Sequence, residues 1–218
     1  MLLLFGSLLV NLTYLQAVRA PELNASPNNR RVLIDEYSNK RGPILVGEQA
    51  AARSRPSDGQ FEYLRVYPTD ELYAHVTGFD SFIYGRTGVE RAAHGVLSGG
   101  DDSLFVRRIV DLITGRSPEG GSVVLTLDED AQRAAVDGLG SWTGAVAAIE
   151  PRTGAVLALA STPSFDPNPL ASHSIEAQQD AWKDYNADPR QPLLHRSIAQ
   201  TLPPGSVFKL VTAAAALE

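Results

Sequence analysis

The sequence predicts an α+β protein in three parts: an apolar N-terminal anchor, an extended mixed α/β segment, and a segment built on a central antiparallel sheet covered by helices. Three observations carry this. Residues 1–18 hold no charge and are apolar apart from Gly6, Ser7, Asn11, Thr13 and Gln16. Short strand-like runs and helical stretches follow one another from Val32 to Thr114. Two apolar runs, Ala145–Ile149 and Ala155–Ala160, then flank Pro151-Arg152-Thr153-Gly154, a turn with glycine at its end.

Residues 1–18 are slightly short of the about 20 apolar residues that a spanning helix needs. A secretory signal would begin with basic residues, and none stand here. A buried core helix is one reading; a membrane anchor whose beginning is lost or mis-assigned is the preferred one. It would make the chain a single-pass membrane protein with its bulk outside the cytoplasm. Pro21–Arg31 is turn-rich linker, and Val32–Tyr37 is a short strand or a helix start. Arg41–Gly47 turns into a strand, Ala50–Arg55 alternates, and Pro56–Gly59 is a turn. Tyr63–Tyr67 alternates up to Pro68 and reads as a strand. Glu71–Thr77 is ambiguous; Gly78 and Gly85–Gly88 are loop. Val89–Leu97 and Leu104–Thr114 have helical spacing. Gly115–Gly121 is a charged, glycine-rich turn and the expected domain boundary, which divides the chain into 1–18, 19–120 and 121–218.

Beyond the boundary, Val123–Leu127 reads as a strand and Asp128 as the N-cap of a helix from Glu129 to about Leu139. The runs at 145–160 are apolar without alternation, which requires cover on both faces. The hairpin is therefore expected at the centre of a sheet. Ser161–Pro169 is irregular, Ile175–Trp182 a polar helix, and Asp188–Pro192 a loop.

Composition limits the function. The net charge of -6 argues against a nucleic-acid partner. With no cysteine there is no disulfide, thiolate metal site or cysteine nucleophile. His75, His94, His173 and His195 are scattered without metal-ligand spacing, and read as surface or locally bonded residues. No metal or cofactor is expected.

The chemistry concentrates at the end of the sequence. Pro203-Pro204-Gly205 interrupts what precedes it, and Ala213–Leu217 is strongly helix-forming. Of the three lysines, only Lys209 stands three residues after a serine, Ser206. On a helix the two share a face. A hydroxyl beside an amine is a nucleophile beside a potential base, placed where free N–H groups favour developing negative charge. A lysine stem packed on its helix with its head in water is the alternative.

Pro204-Gly205-Ser206-Val207-Phe208-Lys209 resembles the Ser-x-x-Lys motif of the penicillin-binding proteins. Upstream blocks agree. Gly144-Ala145-Val146 and Glu150–Ala158 resemble the first hairpin of the transpeptidase domain, Pro163–Asn168 the segment after it, and Val124–Asp128 with Gln132 the entry into that domain. Arg41-Gly42-Pro43-Ile44, Tyr67-Pro68, Ala74–Gly78 and Gly85–Glu90 resemble class B enzymes of the actinobacterial penicillin-binding protein A type. The likeness covers roughly residues 28–218. Three segments depart from it. Leu45-Val46-Gly47-Glu48 replaces the usual Asp-Arg-Asn-Gly, His195 stands for an asparagine, and Leu202 for a common tyrosine.

The resemblance implies a peptidoglycan D,D-transpeptidase of cell-wall synthesis and division. Residues 19–120 would form its pedestal or dimerisation domain. Residues 121–218 would begin a transpeptidase domain of the serine β-lactamase-like kind. It implies stem peptides ending in D-Ala-D-Ala as substrate, β-lactams as ligands that acylate the same serine, and cell-division proteins as possible partners. Ser206 would be the nucleophile and Lys209, when neutral, the base; the Ser206 N–H would give half an oxyanion hole. The family's second and third motifs, Ser-x-Asn and Lys-Thr/Ser-Gly, are expected after Glu218. Ser26-Pro27-Asn28, Arg86-Thr87-Gly88 and Arg152-Thr153-Gly154 imitate them and read as turns. The 218 residues alone are expected to form no stable β-lactam adduct. The competing expectations are a non-catalytic scaffold of the cell-wall machinery and a β-lactam sensor.

Overall fold

The computed structural model describes residues 2–19, 37–58, 61–101 and 119–217. Its helices are α1 (Leu2–Ala17), α2 (Ala74–Thr77), α3 (Gly88–Ala92), α4 (His94–Ser98), α5 (Glu129–Leu139), α6 (Ile175–Ala187), α7 (Arg196–Ala199) and α8 (Lys209–Leu217). Its strands are β1 (Ile44–Val46), β2 (Gln49–Pro56), β3 (Tyr63–Val66), β4 (Asp80–Ser81), β5 (Gly85–Arg86), β6 (Val123–Leu125), β7 (Gly144–Ile149) and β8 (Val156–Thr162). The expected linker over Pro21–Arg31, with its Ser26-Pro27-Asn28 imitation, lies outside the described residues. So do Val32–Glu36 and the expected helix over Leu104–Thr114.

The Gly47-Glu48 turn, where the sequence departs from the family, reverses the chain in two residues. It pairs β1 antiparallel with β2, Ile44 opposite Ala52. β3 adds antiparallel to β2. β6 adds parallel to β1, with Ile44, Leu45 and Val46 opposite Val123, Val124 and Leu125. The sheet order β3-β2-β1-β6 thus joins strands from both sides of the 120/121 boundary. One core cluster buries Ile44, Ala52, Tyr67 and Leu97 against Val89, Ala93 and Val123. A second buries Val46, Ala51, Tyr73 and Leu127 against Val156 and Leu159.

The close approach at the β1–β6 seam explains Arg41-Gly42-Pro43. Gly42 N donates to Leu97 O (2.8 Å), and Gly120 N donates to Lys40 O (2.8 Å). A Cβ on Gly42 would stand 1.8 Å from Gly121 O, so any other residue would push the two segments apart.

Beside the seam lies a buried ion network centred on Glu90, which is fully buried on α3. Its carboxylate accepts from Arg41 Nε and Arg65 Nε, both at 2.6 Å, and from the Tyr67 hydroxyl at 3.2 Å. Arg41 Nη2 donates to Glu90 O (2.7 Å), and Arg65 Nη1 donates to Gly42 O (2.7 Å). Asp80 extends the network to Arg86 (2.7 Å) and to the Tyr37 hydroxyl (3.0 Å). Burial, with Glu90 beside it, pushes the Tyr67 phenol well above its ordinary range.

After β6 the chain pairs onward with the hairpin. Thr126 Oγ1 donates to Val156 O, and Asp128 N donates to Leu157 O, each at 2.8 Å. Asp128 then caps α5 by accepting from Ala131 N (2.8 Å), as expected. Ala131, Ala135, Val136 and Leu139 lay one face of α5 on Val146, Ala148, Ala158 and Ala160. Buried Gln132 bonds with its whole amide, accepting from Leu159 N (2.8 Å) and donating to Leu72 O (2.9 Å) and Leu159 O (3.3 Å). β7 and β8 form a two-stranded sheet among the described residues. α5 covers one face of it, while Ala145, Ala147 and Ile149 on the opposite face of β7 are exposed. On that opposite face the β8 residues are covered, Ser161 by Arg196 and Leu159 by the Val46 cluster, so the expected cover on both faces is complete for β8 and partial for β7.

α6 runs five residues beyond the expected Trp182, because its apolar stripe continues. Buried Gln178 sits on the same face as Ala181, Trp182 and Tyr185. Trp182 stacks on Tyr84 with ring centroids 4.3 Å apart, and the Tyr185 hydroxyl donates to Asp166 O (2.9 Å). Two histidines meet nearby. His75 on α2 and His195 before α7 stack at 5.3 Å and 23°. Burial first, then His195 and Arg196, hold His75 down to about 4, against a weak bond from its Nε2 to Pro163 O.

α1 is exposed throughout Leu4–Ala17. No described helix is long and apolar enough to cross a membrane.

Glu90→Ala should cost about 3–5 kcal/mol in urea unfolding, because it strands two buried guanidinium groups. Tyr67→Phe, which removes one hydrogen bond, should cost about 1 kcal/mol. Equal losses would show that the network is not centred on Glu90. His75 gives a second test. Its folded pKa lies below its unfolded value, so its contribution is complete above about pH 6.5 and is lost as pH falls towards about 4. Over that window His75→Gln should flatten the fall in unfolding free energy by up to about 3 kcal/mol; parallel curves for the two proteins would refute the burial argument.

Candidate active site

Pro203 and Pro204 lack N–H groups, and Gly205 follows at φ +54°, a conformation in which a side chain would be strained. The chain then winds into a 3₁₀ turn over Gly205–Phe208, with Val207 N donating to Pro204 O (3.2 Å), and continues as α8. At three residues per 3₁₀ turn, positions i and i+3 eclipse. Ser206 and Lys209 therefore share a face, as the spacing predicts. The Ser206 hydroxyl lies at the end of the helix that carries free N–H groups.

The surroundings of the pair are open. Every described residue from Gln200 to Leu217 is exposed, including Leu202, Val207, Phe208, Leu210 and Val211. Among the described residues, neither Ser206 Oγ nor Lys209 Nζ has a hydrogen-bond partner. The segment's hydrogen bonds are local, such as Thr212 Oγ1 to Phe208 O (3.4 Å). The arrangement supplies a nucleophile and an amine on one helical turn, without walls that exclude water.

Two clefts lie elsewhere. One, of about 680 Å³, is polar and runs between the Thr69–Leu72 turn, α5 and the Ser161–Ser164 segment. The other, of about 610 Å³, is apolar and is bounded by α2, α3, Phe165, Trp182 and His195. Neither is lined by Ser206 or Lys209. Among the described residues, no group of three or more His, Cys, Asp or Glu side chains could hold a metal.

The two described motif imitations are turn chemistry. Arg86 pairs with Asp80, and Thr87 Oγ1 accepts from Phe79 N (3.2 Å). Thr153 Oγ1 donates to Glu150 Oε2 (2.6 Å) inside the β7–β8 turn. The Pro163–Asn168 segment links the halves: Asn168 Oδ1 accepts from Tyr67 N (2.9 Å), and Asn168 Nδ2 donates to Tyr67 O (3.0 Å). Sequence reasoning missed Arg196, which is buried ten residues before Ser206. A charged residue directly after a histidine gives no periodic signal of burial, even with Leu193, Leu194 and Ile198 close by.

Comparison with known proteins accounts for both halves. The model of the penicillin binding protein A dimerisation domain matches residues 41–123, and that of the penicillin binding protein transpeptidase domain matches 144–218. The peptidoglycan D,D-transpeptidase PbpA of Mycolicibacterium smegmatis is 51% identical over 216 residues, covering 97% of this chain and 44% of the relative. PbpA of Mycobacterium tuberculosis is 50% identical over 215 residues, with 96% and 44% covered. The imipenem acyl-enzyme structure of penicillin-binding protein A from M. tuberculosis matches with a TM-score of 0.82 at 50% identity, over 84% of this chain and 43% of that one. The chain spans less than half the length of these relatives. With the two domain families in this order and half the aligned residues identical, the chain belongs to the class B penicillin-binding proteins of the penicillin-binding protein A type.

Proposed function

We propose that this chain carries the nucleophile of a peptidoglycan D,D-transpeptidase. The observation that carries the reading is the Ser206–Lys209 turn at a helix N-terminus, within a segment that matches the transpeptidase domain family. Ser206 Oγ attacks the penultimate D-Ala carbonyl of a stem peptide and passes its proton to Lys209. Electrons return from the tetrahedral oxyanion, the C–N bond breaks, and D-Ala leaves with a proton. The amine of a neighbouring strand then attacks the ester and releases Ser206. The Ser206 N–H gives one oxyanion donor. β-Lactams enter by the same attack, a reading supported by the imipenem acyl-enzyme of the M. tuberculosis relative.

The proposed organisation keeps residues 1–18 as a membrane anchor, 19–120 as the pedestal and dimerisation domain, and 121–218 as the transpeptidase segment. The matches at 41–123 and 144–218 support the last two. The exposed apolar surface of α1 supports the anchor, with the bulk of the chain extracytoplasmic. At 1.5 Å per residue its 16 residues reach about 24 Å, against a hydrocarbon core of about 30 Å. A non-catalytic scaffold is the second reading; it draws on the exposure of Ser206 and Lys209.

Expressed as these 218 residues, the chain should give no stable adduct with a fluorescent penicillin, because water surrounds the pair. In a polypeptide that also carries Ser-x-Asn and Lys-Thr-Gly, Ser206 should be labelled. Ser206→Ala should abolish labelling, and Lys209→Ala should slow acylation by about 10²–10⁴-fold, the usual range for a general base. Labelling that survives Ser206→Ala would move the nucleophile elsewhere, and an unlabelled polypeptide would favour the scaffold.

A further inference from the structure

Arg196 is buried at the start of α7, yet no carboxylate answers its charge among the described residues. Its guanidinium is held by carbonyl oxygens. Nη1 donates to Gln191 O (3.1 Å) and Leu194 O (3.4 Å), and Nη2 donates to Arg190 O. Gln191 takes φ +52°, a left-handed conformation that strains a glutamine, in the turn whose carbonyls converge on Arg196. The backbone N–H of Arg196 donates to Ser161 Oγ (2.7 Å), and that hydroxyl donates to Leu194 O (3.4 Å). Ser161 is itself buried, near the end of β8.

A buried cation costs desolvation, and an apolar residue would fill the same space without that penalty. What an apolar residue cannot supply is a planar fork of donors that gathers three carbonyls of a turning strap. The strap and Ser161 together fix where the chain leaves the β8 edge. Beyond Ala199 the described residues are exposed and bonded only locally, so this clamp and the short α7 that follows it on β7 and β8 are the last tertiary attachments before the turn that bears Ser206.

We propose that Arg196, acting through Ser161 and the 190–194 strap, is a positioning residue for Ser206. It sets the direction from which the nucleophile helix is approached, and so the attack geometry, without touching substrate. This rests on the reading of Ser206 as the nucleophile. Misplacement of a nucleophile by about 1 Å can cost about a hundredfold in rate. The clamp should therefore appear in the acylation step and leave the affinity of the non-covalent complex alone.

The test uses fluorescent penicillin and the polypeptide that carries these residues together with Ser-x-Asn and Lys-Thr-Gly, which is the wild type here, with saturation kinetics to separate the non-covalent dissociation constant from the acylation rate constant. Ser161→Ala and Arg196→Ala should each lower the acylation rate constant by roughly tenfold or more, with the dissociation constant unchanged. Arg196→Lys, which keeps a donor and the charge, should recover part of the loss. Hydrogen exchange across residues 194–208 gives a readout free of chemistry, and it should quicken in Ser161→Ala while exchange in α5 stays unchanged. Wild-type acylation constants in the folded variants, or a loss that follows only the folded fraction, would overturn the proposal. So would unchanged exchange at 194–208. If the wild type is not acylated at Ser206, the nucleophile reading itself fails and takes the clamp's role with it.

Discussion

The fold depends on a carboxylate that cannot reach water. Glu90 is fully buried, and its charge is tolerable only because Arg41, Arg65 and Tyr67 all donate to it. These partners come from the approach to β1, from β3 and from the residue after β3, so neutralising Glu90 requires the sheet and α3 to be in their native relation. Many chain conformations could satisfy the apolar faces of β1 and β2. Far fewer bring two guanidinium groups to one buried carboxylate at 2.6 Å. The network therefore contributes specificity of arrangement, while the apolar contacts of Ile44, Ala52, Tyr67 and Leu97 contribute the larger share of burial.

That constraint passes to the second half through the backbone. Arg65 donates to Gly42 O, and Gly42 N is bonded to Leu97 O, so the network and the glycine seam meet at Gly42. The seam aligns β6 parallel to β1. From β6 the pairing steps to β8 through Thr126 and Asp128. Gln132 then ties α5 to β8 and to the turn at Leu72. Asn168 closes the circuit onto Tyr67, whose hydroxyl is already committed to Glu90. The hairpin thus takes its orientation from the β3-β2-β1-β6 sheet by a continuous series of hydrogen bonds.

Local signals in the sequence are enough for the elements that local physics determines. The β7–β8 hairpin announces itself through its turn, α5 through the Asp128 cap, and the Ser206–Lys209 face through spacing alone. Contacts between distant segments leave no such periodic trace. Nothing in Gly85–Glu90 says that Glu90 is buried, since its partners lie 25 and 49 residues away. The parallel β1–β6 pairing is equally silent, because two three-residue strands carry no register signal of their own. His75 and His195 read as separate local residues, and only the fold stacks them. The double cover expected of the hairpin rests on its lack of alternation, which reports what a strand can tolerate on each face. Among the described residues Ala145, Ala147 and Ile149 remain open.

The same distinction separates the proposed nucleophile from the site around it. Identity and spacing suffice to put a hydroxyl and an amine on one turn, since that is local geometry. Acyl transfer demands more: donors aimed at the developing oxyanion and a surround that excludes water, both supplied by segments remote in sequence. In this structure the remote supply reaches as far as Arg196 and Ser161 and stops short of Ser206 itself. The apolar residues Val207, Phe208, Leu210 and Val211 are exposed on the turn and helix that carry the pair. Burying that surface would lower its free energy by about 25 cal/mol per Å², and the same burial would remove water from Ser206 and Lys209. On the proposed reading of Ser206 as nucleophile, packing of this helix and activation of its serine become one physical event, and the proposed Arg196 clamp would prepare its geometry upstream.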